Sequence, residues 1–195
     1  MDSQKHEVVS SQLIYKFECL EIILSFCKSL FNNTVFFCFT RRNFKTKAGL
    51  RDDGSEKPSS EYSFFFPREV GRKLIEQLPA TIDYIQHVLT KEVKNPFEGY
   101  FTNICERLIA SSENREYYLG IKQSNQFGSY QIYLSRHNLY VQPNKVTDFN
   151  ITPAAARALV GHLPHLMIAA DSLQESLIAT EPKTIPLERA TTDMV

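Results

Sequence analysis

Alternating apolar and polar positions in the second half of the chain predict a β-hairpin and one further strand. Residues 117–122 have the pattern of a short strand, residues 130–136 alternate as a half-buried strand, and the segment between them carries turn formers. After a Pro-Asn turn, residues 146–151 return as another strand. We therefore expect an antiparallel sheet in this part of the chain.

The residues after these strands predict a helix. Thr152 suits the N-cap position, and Pro153 suits the first helical position, where a backbone N–H has no helical partner to lose. Pro164 lies within the predicted helix and predicts a kink there. Apolar residues recur at helical spacing and would cover one face of the sheet: Leu159, Leu163, Leu166 and Ala170.

The chain repeats its own pattern. An R-x-L-(I/V)-x-x-L-P motif that begins at Arg72 begins again 85 residues later at Arg157, and residues 39–44 match residues 134–139 at an offset of 95. The two offsets differ because the first copy carries a longer loop, residues 50–62, and an insertion in a surface loop costs little. The sequence therefore predicts an internal duplication.

The first copy is expected to follow the order of elements found in the second. The larger offset also pairs Leu13-Ile14 with Leu108-Ile109, and residues 20–27 with residues 115–122. The predicted elements of the first copy are three strands and a helix that contains Pro79, at residues 20–27, 34–42, 62–66 and 68 to about 90.

The fold class that follows is α+β, with each copy a twisted antiparallel sheet and a helix on one of its faces. One copy alone would leave much apolar surface uncovered, so the two copies are expected to pack as an intramolecular pseudo-dimer around a pseudo-twofold axis. We expect a first repeat at residues 10–92, a second repeat at residues 96–178 and a loose polar tail at residues 179–195.

Composition and motifs narrow the classes of function. Lys+Arg and Asp+Glu both total 22, so no overall positive charge indicates a nucleic-acid partner, and any such site has to be local. The P-loop, dinucleotide-binding, serine-hydrolase and zinc-protease motifs do not occur, so an enzyme is not favoured. Charged and amide residues interrupt the apolar stretch at residues 20–39, so no membrane span is expected.

The four cysteines, Cys19, Cys27, Cys38 and Cys105, form no C-x-x-C pair, and no histidine completes a zinc spacing. We expect no structural metal and no cofactor. Apolar surroundings of the first three favour buried free thiols over disulfides, which indicates an intracellular protein, nuclear or cytoplasmic. A structural role is also favoured for the histidines His137, His162 and His165.

A local basic patch follows the second predicted strand of the first copy. It contains several cations and one ring with no acidic residue among them: Arg41, Arg42, Phe44, Lys45, Lys47 and Arg51. Such cations would contact phosphates, and the ring of Phe44 would stack on a base. The alternative is a solvated strand end whose charges prevent edge-to-edge pairing.

A row of aromatic and cationic side chains is predicted on the second copy. If Tyr117, Leu119 and Ile121 point inward, strand alternation places Tyr118 and Lys122 on the opposite face. The full predicted row is Tyr118, Lys122, Tyr133, Arg136, His137 and Tyr140. Rings accept bases by stacking and cations follow the backbone, as single-stranded nucleic acid requires. The alternative is a tyrosine-rich face that packs on the sister repeat.

Residues 113–123, with the sequence ENREYYLGIKQ, and residues 127–132, with the sequence FGSYQI, resemble the PUR repeat of the purine-rich-element-binding proteins. Residues 65–78, continuing to Ile82-Asp-Tyr, resemble the strand-to-helix end of the same repeat. The Lys of the family's first strand has no counterpart in residues 19–27, and the turn at residues 125–129 lacks the family's basic character. Transcriptional positive cofactor four and the Whirly proteins share the same sheet-and-helix plan.

This resemblance implies a four-stranded sheet and a helix per repeat, two repeats in one domain, and binding of purine-rich single-stranded DNA or RNA. It also implies a role in the regulation of transcription or replication or in RNA transport, without catalysis. The rival hypothesis is a protein-interaction or dimerisation module of the same fold that has lost its nucleic-acid ligand, which zero net charge favours. Association of two chains into a homodimer stays open.

Overall fold

The computed structural model describes residues 6–44, 58–89, 99–112, 114–140 and 145–180. Two antiparallel sheets of four strands are each followed by a helix, with strand orders β1-β2-β3-β4 and β5-β6-β7-β8. The first repeat consists of β1 (His6–Phe17), β2 (Leu20–Ser29), β3 (Val35–Asn43), β4 (Ser60–Pro67) and α1 (Arg68–His87). The second consists of β5 (Phe101–Ser112), β6 (Arg115–Ser124), β7 (Tyr130–Asn138), β8 (Lys145–Ile151) and α2 (Pro153–Ala179).

The two sheets have the same strand register, which confirms the duplication. His6 pairs with Ser29 in the first sheet, and Phe101 pairs with Ser124 at the 95-residue offset in the second. The edge strands β1 and β5 each have two register shifts, and those of β1 fall at the same places as those of β5. The extra residue at the second shift is Ile14 in one copy and Ile109 in the other. The predicted sheet-and-helix order is therefore correct for both copies.

Helix α2 begins as its sequence predicts. Thr152 is the N-cap of α2, where its Oγ1 accepts a hydrogen bond from the Ala155 N–H at 3.1 Å, and Pro153 is the first helical residue. Pro79 and Pro164 both lie inside continuous helices. No described helix is long and apolar enough to cross a membrane.

The repeats pack as a pseudo-dimer in which each helix also contacts the other repeat. The helix α2 contacts β1, β2 and β3 of the first sheet, and α1 contacts β5 of the second. Gln174 near the end of α2 ties the two repeats together, because its Oε1 accepts from the Val35 N–H at 2.8 Å and its Nε2 donates to the Asn33 carbonyl at 3.1 Å. One continuous apolar core results, with buried residues from both repeats.

The two copies of the repeated helix motif occupy equivalent environments. Arg72 on α1 donates to Asp171 on α2, with 2.8 Å between Nη2 and Oδ1. Arg157 on α2 lines a cleft with Asp83 and Gln86 of α1, and Gln86 is the counterpart of Asp171 at the 85-residue offset. Both arginines therefore lie beside the C-terminal half of the opposite helix, as a pseudo-twofold axis requires.

Candidate nucleic-acid interface

The outer face of each sheet is the face turned away from the helices. In the second sheet, Tyr117, Leu119 and Ile121 of β6 are buried in the core. Tyr118 and Lys122 consequently lie on the outer face, because successive side chains in a strand alternate. Tyr133 of β7 joins them there because it pairs directly with Gly120. The predicted assignment of these residues to one face is therefore correct.

Lys122 lies on the outer face but is only 8% exposed, so its predicted exposure is wrong. Its Nζ lies 4.8 Å from the ring centroid of Phe101 on β5 and 5.4 Å from that of Tyr133 on β7. Both strands beside β6 thus place an aromatic ring against the ammonium group. Burial lowers the pKa of Lys122, and the carboxylate of Asp148 opposes this shift.

Tyr133 is 3% exposed, so the prediction that its ring offers an open stacking surface is also wrong. The ring occupies the space above Gly120, where an added Cβ would lie 2.3 Å from the tyrosine Cζ. Glycine at position 120 is therefore what allows the ring to rest against β6. Burial raises the pKa of Tyr133, and the carboxylate of Glu106 adds to the shift.

Tyr118 and His137 form a second ring pair on the same face. Their ring centroids are 4.5 Å apart with an interplanar angle of 34°, and both side chains are half-buried. The hydroxyl of Tyr118 donates to Oε2 of Glu116 at 2.7 Å, and this hydrogen bond raises the pKa of Tyr118. Tyr140, which follows β7, is exposed. These three predicted residues keep rings at the surface.

Arg136 lies on the opposite face, so its predicted place in the row is wrong. It pairs with Tyr117, whose side chain points into the core, and an odd separation from Tyr133 along one strand reverses the face. Its Nη1 donates to the carbonyl of Phe65 at 3.4 Å, and its guanidinium carbon lies 5.5 Å from the ring centroid of Phe64. Arg136 therefore joins the second repeat to β4 of the first.

Three aromatic residues that sequence reasoning missed lie at the end of the second sheet near Lys122. Tyr100 is 85% exposed, Phe127 is 75% exposed, and Phe101 is exposed as well. The backbone N–H of Asn125 donates to the Tyr100 carbonyl at 3.0 Å, which holds the β6–β7 turn with Phe127 beside the start of β5. The Gly-Tyr-Phe run at residues 99–101 is the signal that could have revealed two of these rings.

The predicted basic patch is only partly described, because Lys45, Lys47 and Arg51 lie outside the described residues. Arg41 and Arg42 point to opposite faces of the first sheet, and Arg42 Nε forms an ion pair with Glu61 Oε2 at 2.9 Å. The patch is therefore not free of acids, since β4 brings Glu61 beside β3. Phe44 is half-buried next to the β1–β2 turn.

Carboxylates also belong to the outer face of the second sheet. Glu106 pairs with Gly120, Asp148 pairs with Ser135, and Glu116 pairs with His137. Cations and rings at the centre of the face are therefore bordered by hydrogen-bond acceptors. Phosphates would be repelled from these positions, whereas N–H groups of bases would be attracted to them.

A separate cleft of about 490 Å³ lies between the two repeats, and we call it the inter-repeat cleft. The rings of His6, Phe36 and Phe65 from the outer face of the first sheet form one wall, with His6 and Phe65 centroids 5.1 Å apart. The lining also includes Arg115 at the start of β6 and Glu69 in the first turn of α1. No group of three or more potential metal ligands occurs among the described residues.

Comparison with known proteins finds a weak structural similarity, which carries no conclusion about this chain. No protein-family model matches the chain, and no curated protein matches its sequence. The solved structure described as WHY1 from Arabidopsis thaliana matches with a TM-score of 0.32 and 12% sequence identity, covering 93% of this chain and 97% of that chain. The residues of this chain therefore have to carry any assignment of function.

Proposed function

We propose that the chain binds single-stranded nucleic acid on the outer face of the second sheet, without catalysis. The observation that carries the proposal is the ammonium group of Lys122 between the rings of Phe101 and Tyr133, with Tyr100 and Phe127 exposed at the same end of the sheet. Aromatic rings that accept any base by stacking, next to a cation, are the requirements of a single-strand site.

The rings are spread along the direction of β6. Tyr118, with its partner His137, lies four residues from Lys122, which is about 13 Å along a strand. Phe101 lies beside Lys122, and Tyr100 and Phe127 lie beyond it. Tyr133 is too buried to stack on a base and only supports Lys122. An extended strand with its bases turned toward the protein would meet successive rings along this line.

The carboxylates of the face determine how the strand is oriented. Glu106, Glu116 and Asp148 border the central rings, so the phosphates would run along the rim and the bases would point inward. Carboxylates accept hydrogen bonds from exocyclic amino groups. With equal numbers of acidic and basic residues, affinity would depend on stacking more than on counterion release.

The finer proposals rest on the resemblance to PUR repeats. The bound strand would be purine-rich DNA or RNA, and the protein would act in the nucleus or cytoplasm in transcription, replication or RNA transport. As a second, weaker region, Arg41, Arg42, Lys45 and Lys47 would contact phosphates, and the ring of Phe44 would stack on a base.

The test is fluorescence anisotropy of labelled purine-rich and pyrimidine-rich oligonucleotides, single- and double-stranded, at two salt concentrations. Tyr100→Ala and Phe127→Ala should each weaken single-strand binding about tenfold, since one base–ring stack is worth about 1–3 kcal/mol. Phe31→Ala is the matched control, because Phe31 is 76% exposed in the corresponding turn of the first repeat. Equal effects of all three substitutions, or no binding by the unmodified chain, would contradict the proposal.

A second candidate function is a protein-interaction or dimerisation module. The edge strands β1 and β5 each have 12 residues and pair on one side only within the described sheets. Val8, Leu13 and Phe17 are exposed along β1. A long edge with unpaired backbone groups and apolar side chains is a template for pairing with another chain. Concentration-dependent dimerisation, together with no oligonucleotide binding at low salt, would favour this function.

A further inference from the structure

We propose that the inter-repeat cleft binds one guanine base of the strand. This inference rests on the proposed binding of single-stranded nucleic acid, and it adds a base-specific site separate from the face around Lys122. The outer-face rings that line the cleft belong to the first repeat. In this repeat, the position on β2 that corresponds to Lys122 is occupied by Cys27, so the first sheet has no equivalent cation.

The wall of the cleft is aromatic and already ordered. His6, Phe36 and Phe65 contact one another edge to face, with centroid distances of 5.8, 5.1 and 5.9 Å, and all three are half-buried. Rings held by mutual contacts lose little freedom when a base stacks on them. A cleft of about 490 Å³ is large enough for a purine and part of its sugar.

Two charged side chains in the lining distinguish the bases. Arg115 supplies N–H donors, and Glu69 supplies carboxylate acceptors, on different elements around the same cleft. Guanine complements this pair, because O6 and N7 accept from a guanidinium while its N1–H and exocyclic amino group donate to a carboxylate. Adenine has an amino group where guanine has O6, and pyrimidines have no N7, so each would leave Arg115 with a poorer partner.

The cleft is a product of the packing between repeats. Arg136 of the second repeat donates a hydrogen bond to the carbonyl of Phe65 and so fixes this strand of the first repeat. The two charged residues of the lining, Arg115 and Glu69, also come from different repeats. The pseudo-equivalent positions on the second sheet hold Phe101, Gln131 and Asn150 in place of the three rings. Within the described chain the guanine site therefore occurs once.

The experiment measures affinity of the full chain for a thymidine dodecamer that carries one central guanine, and for the same strand with inosine, 7-deazaguanine, adenine or thymine there. The unmodified chain should prefer guanine by about tenfold over thymine. Glu69→Gln should remove the preference for guanine over inosine, which lacks the amino group. Arg115→Gln should remove the preference for guanine over 7-deazaguanine, which lacks N7. Phe65→Leu should weaken binding of the guanine strand and leave the affinity for the thymine strand unchanged.

Matched controls are Glu76→Gln, an exposed carboxylate further along α1, and Lys145→Gln, an exposed cation at the start of β8. Neither residue lines the cleft, so both variants should keep the full preference for guanine. Because Glu69 and Arg115 are exposed, their amide variants should keep the melting temperature of the unmodified chain. Competition by guanosine monophosphate alone would identify a free nucleotide as the source of the base, and its failure to compete would identify the strand.

Binding of every dodecamer with equal affinity, or preferences that survive in Glu69→Gln and Arg115→Gln, would overturn the guanine site and leave the proposed function standing. If the unmodified chain binds none of the strands, the proposed function and the guanine site both fall.

Discussion

The ring of Phe149 in β8 stacks on the ring of Phe39 in β3, with 5.1 Å between centroids and an interplanar angle of 14°. Phe149 also lies 6.2 Å from Phe64, its own counterpart at the 85-residue offset. Two equivalent residues that meet each other lie on the pseudo-twofold axis, so this cluster joins the sheets of the two repeats.

Replacement of Phe149 by Ala should lower the free energy of unfolding by about 3–5 kcal/mol, because a buried ring is lost and a cavity remains. Urea denaturation followed by circular dichroism measures the change. The control is Phe127→Ala, which removes an exposed ring and should change stability by less than about 0.5 kcal/mol. If the free energy of unfolding of Phe149→Ala equals that of the unmodified chain, the packing of the two repeats does not depend on this contact.

We expect Lys122 to lower the stability of the fold and to raise the affinity for single strands. Its ammonium group is buried, so replacement by Met should leave the free energy of unfolding equal or raise it by about 1 kcal/mol at neutral pH. Single-strand affinity should fall, because the rings beside position 122 lose the cation that they hold. The slope of log affinity against log salt should stay unchanged, because the phosphates run along the rim of the face and the buried ammonium group does not contact them. Anisotropy at several salt concentrations measures both effects.

The pH dependence gives an independent check on Lys122. Below its lowered pKa the lysine is charged in both the folded and unfolded chain, so the folded state carries the full cost of burying the charge. As pH rises from that pKa to the ordinary value of 10.5, the folded state loses the proton first and the cost disappears. The stability advantage of Lys122→Met should therefore shrink between neutral pH and pH 10.5, and an advantage that grows would contradict the burial of the charge.

Period-two alternation was sufficient to assign Tyr118, Lys122 and Tyr133 to one face, because the apolar residues between them fix the orientation of β6 and β7. Exposure could not be predicted in the same way. It depends on which side chains lie across the sheet, and Phe101, which covers Lys122, comes from a strand that the pattern did not resolve. The duplication was readable because both copies keep their helix motif and the apolar residues of their sheets.

Contacts between distant segments account for the other corrections. The pairing of Arg42 with Glu61 spans the insertion in the first repeat, whose length hides the register from the sequence. The inter-repeat cleft combines residues from β1, β3, β4, α1, β5 and β6, and no local pattern joins them. Rings such as Phe36 and Phe65 have the composition of core residues, and only the packing shows that they are half-exposed.

Arg136 is predicted to stabilise the contact between repeats and to take no part in phosphate binding. Arg136→Gln should lower the free energy of unfolding by about 1–3 kcal/mol, since the hydrogen bond to Phe65 and the contact with the Phe64 ring are lost. Affinity for a guanine-free oligonucleotide and its salt dependence should stay unchanged. The matched control for the stability measurement is Arg41→Gln at the equivalent position of β3, where the side chain donates to Asn43 within its own strand, so that the hydrogen bond lost lies within one repeat. A shallower salt dependence of binding in Arg136→Gln would show that this residue does contact phosphate.

The four cysteines should differ widely in reactivity. Burial, with Cys38 nearby, raises the pKa of Cys27 to about 12, and burial also raises the pKa of Cys38, whereas Cys105 is exposed on β5. At pH 8 a thiol of pKa 12 is ionised in about one molecule in ten thousand, and the thiolate is the reactive form. In a Cys19→Ser background, a disulfide reagent should modify one thiol of the folded chain quickly and two more only after denaturation. Cys105→Ser should abolish the fast reaction, and rapid modification of Cys27 or Cys38 in the folded chain would show that the first sheet does not bury them.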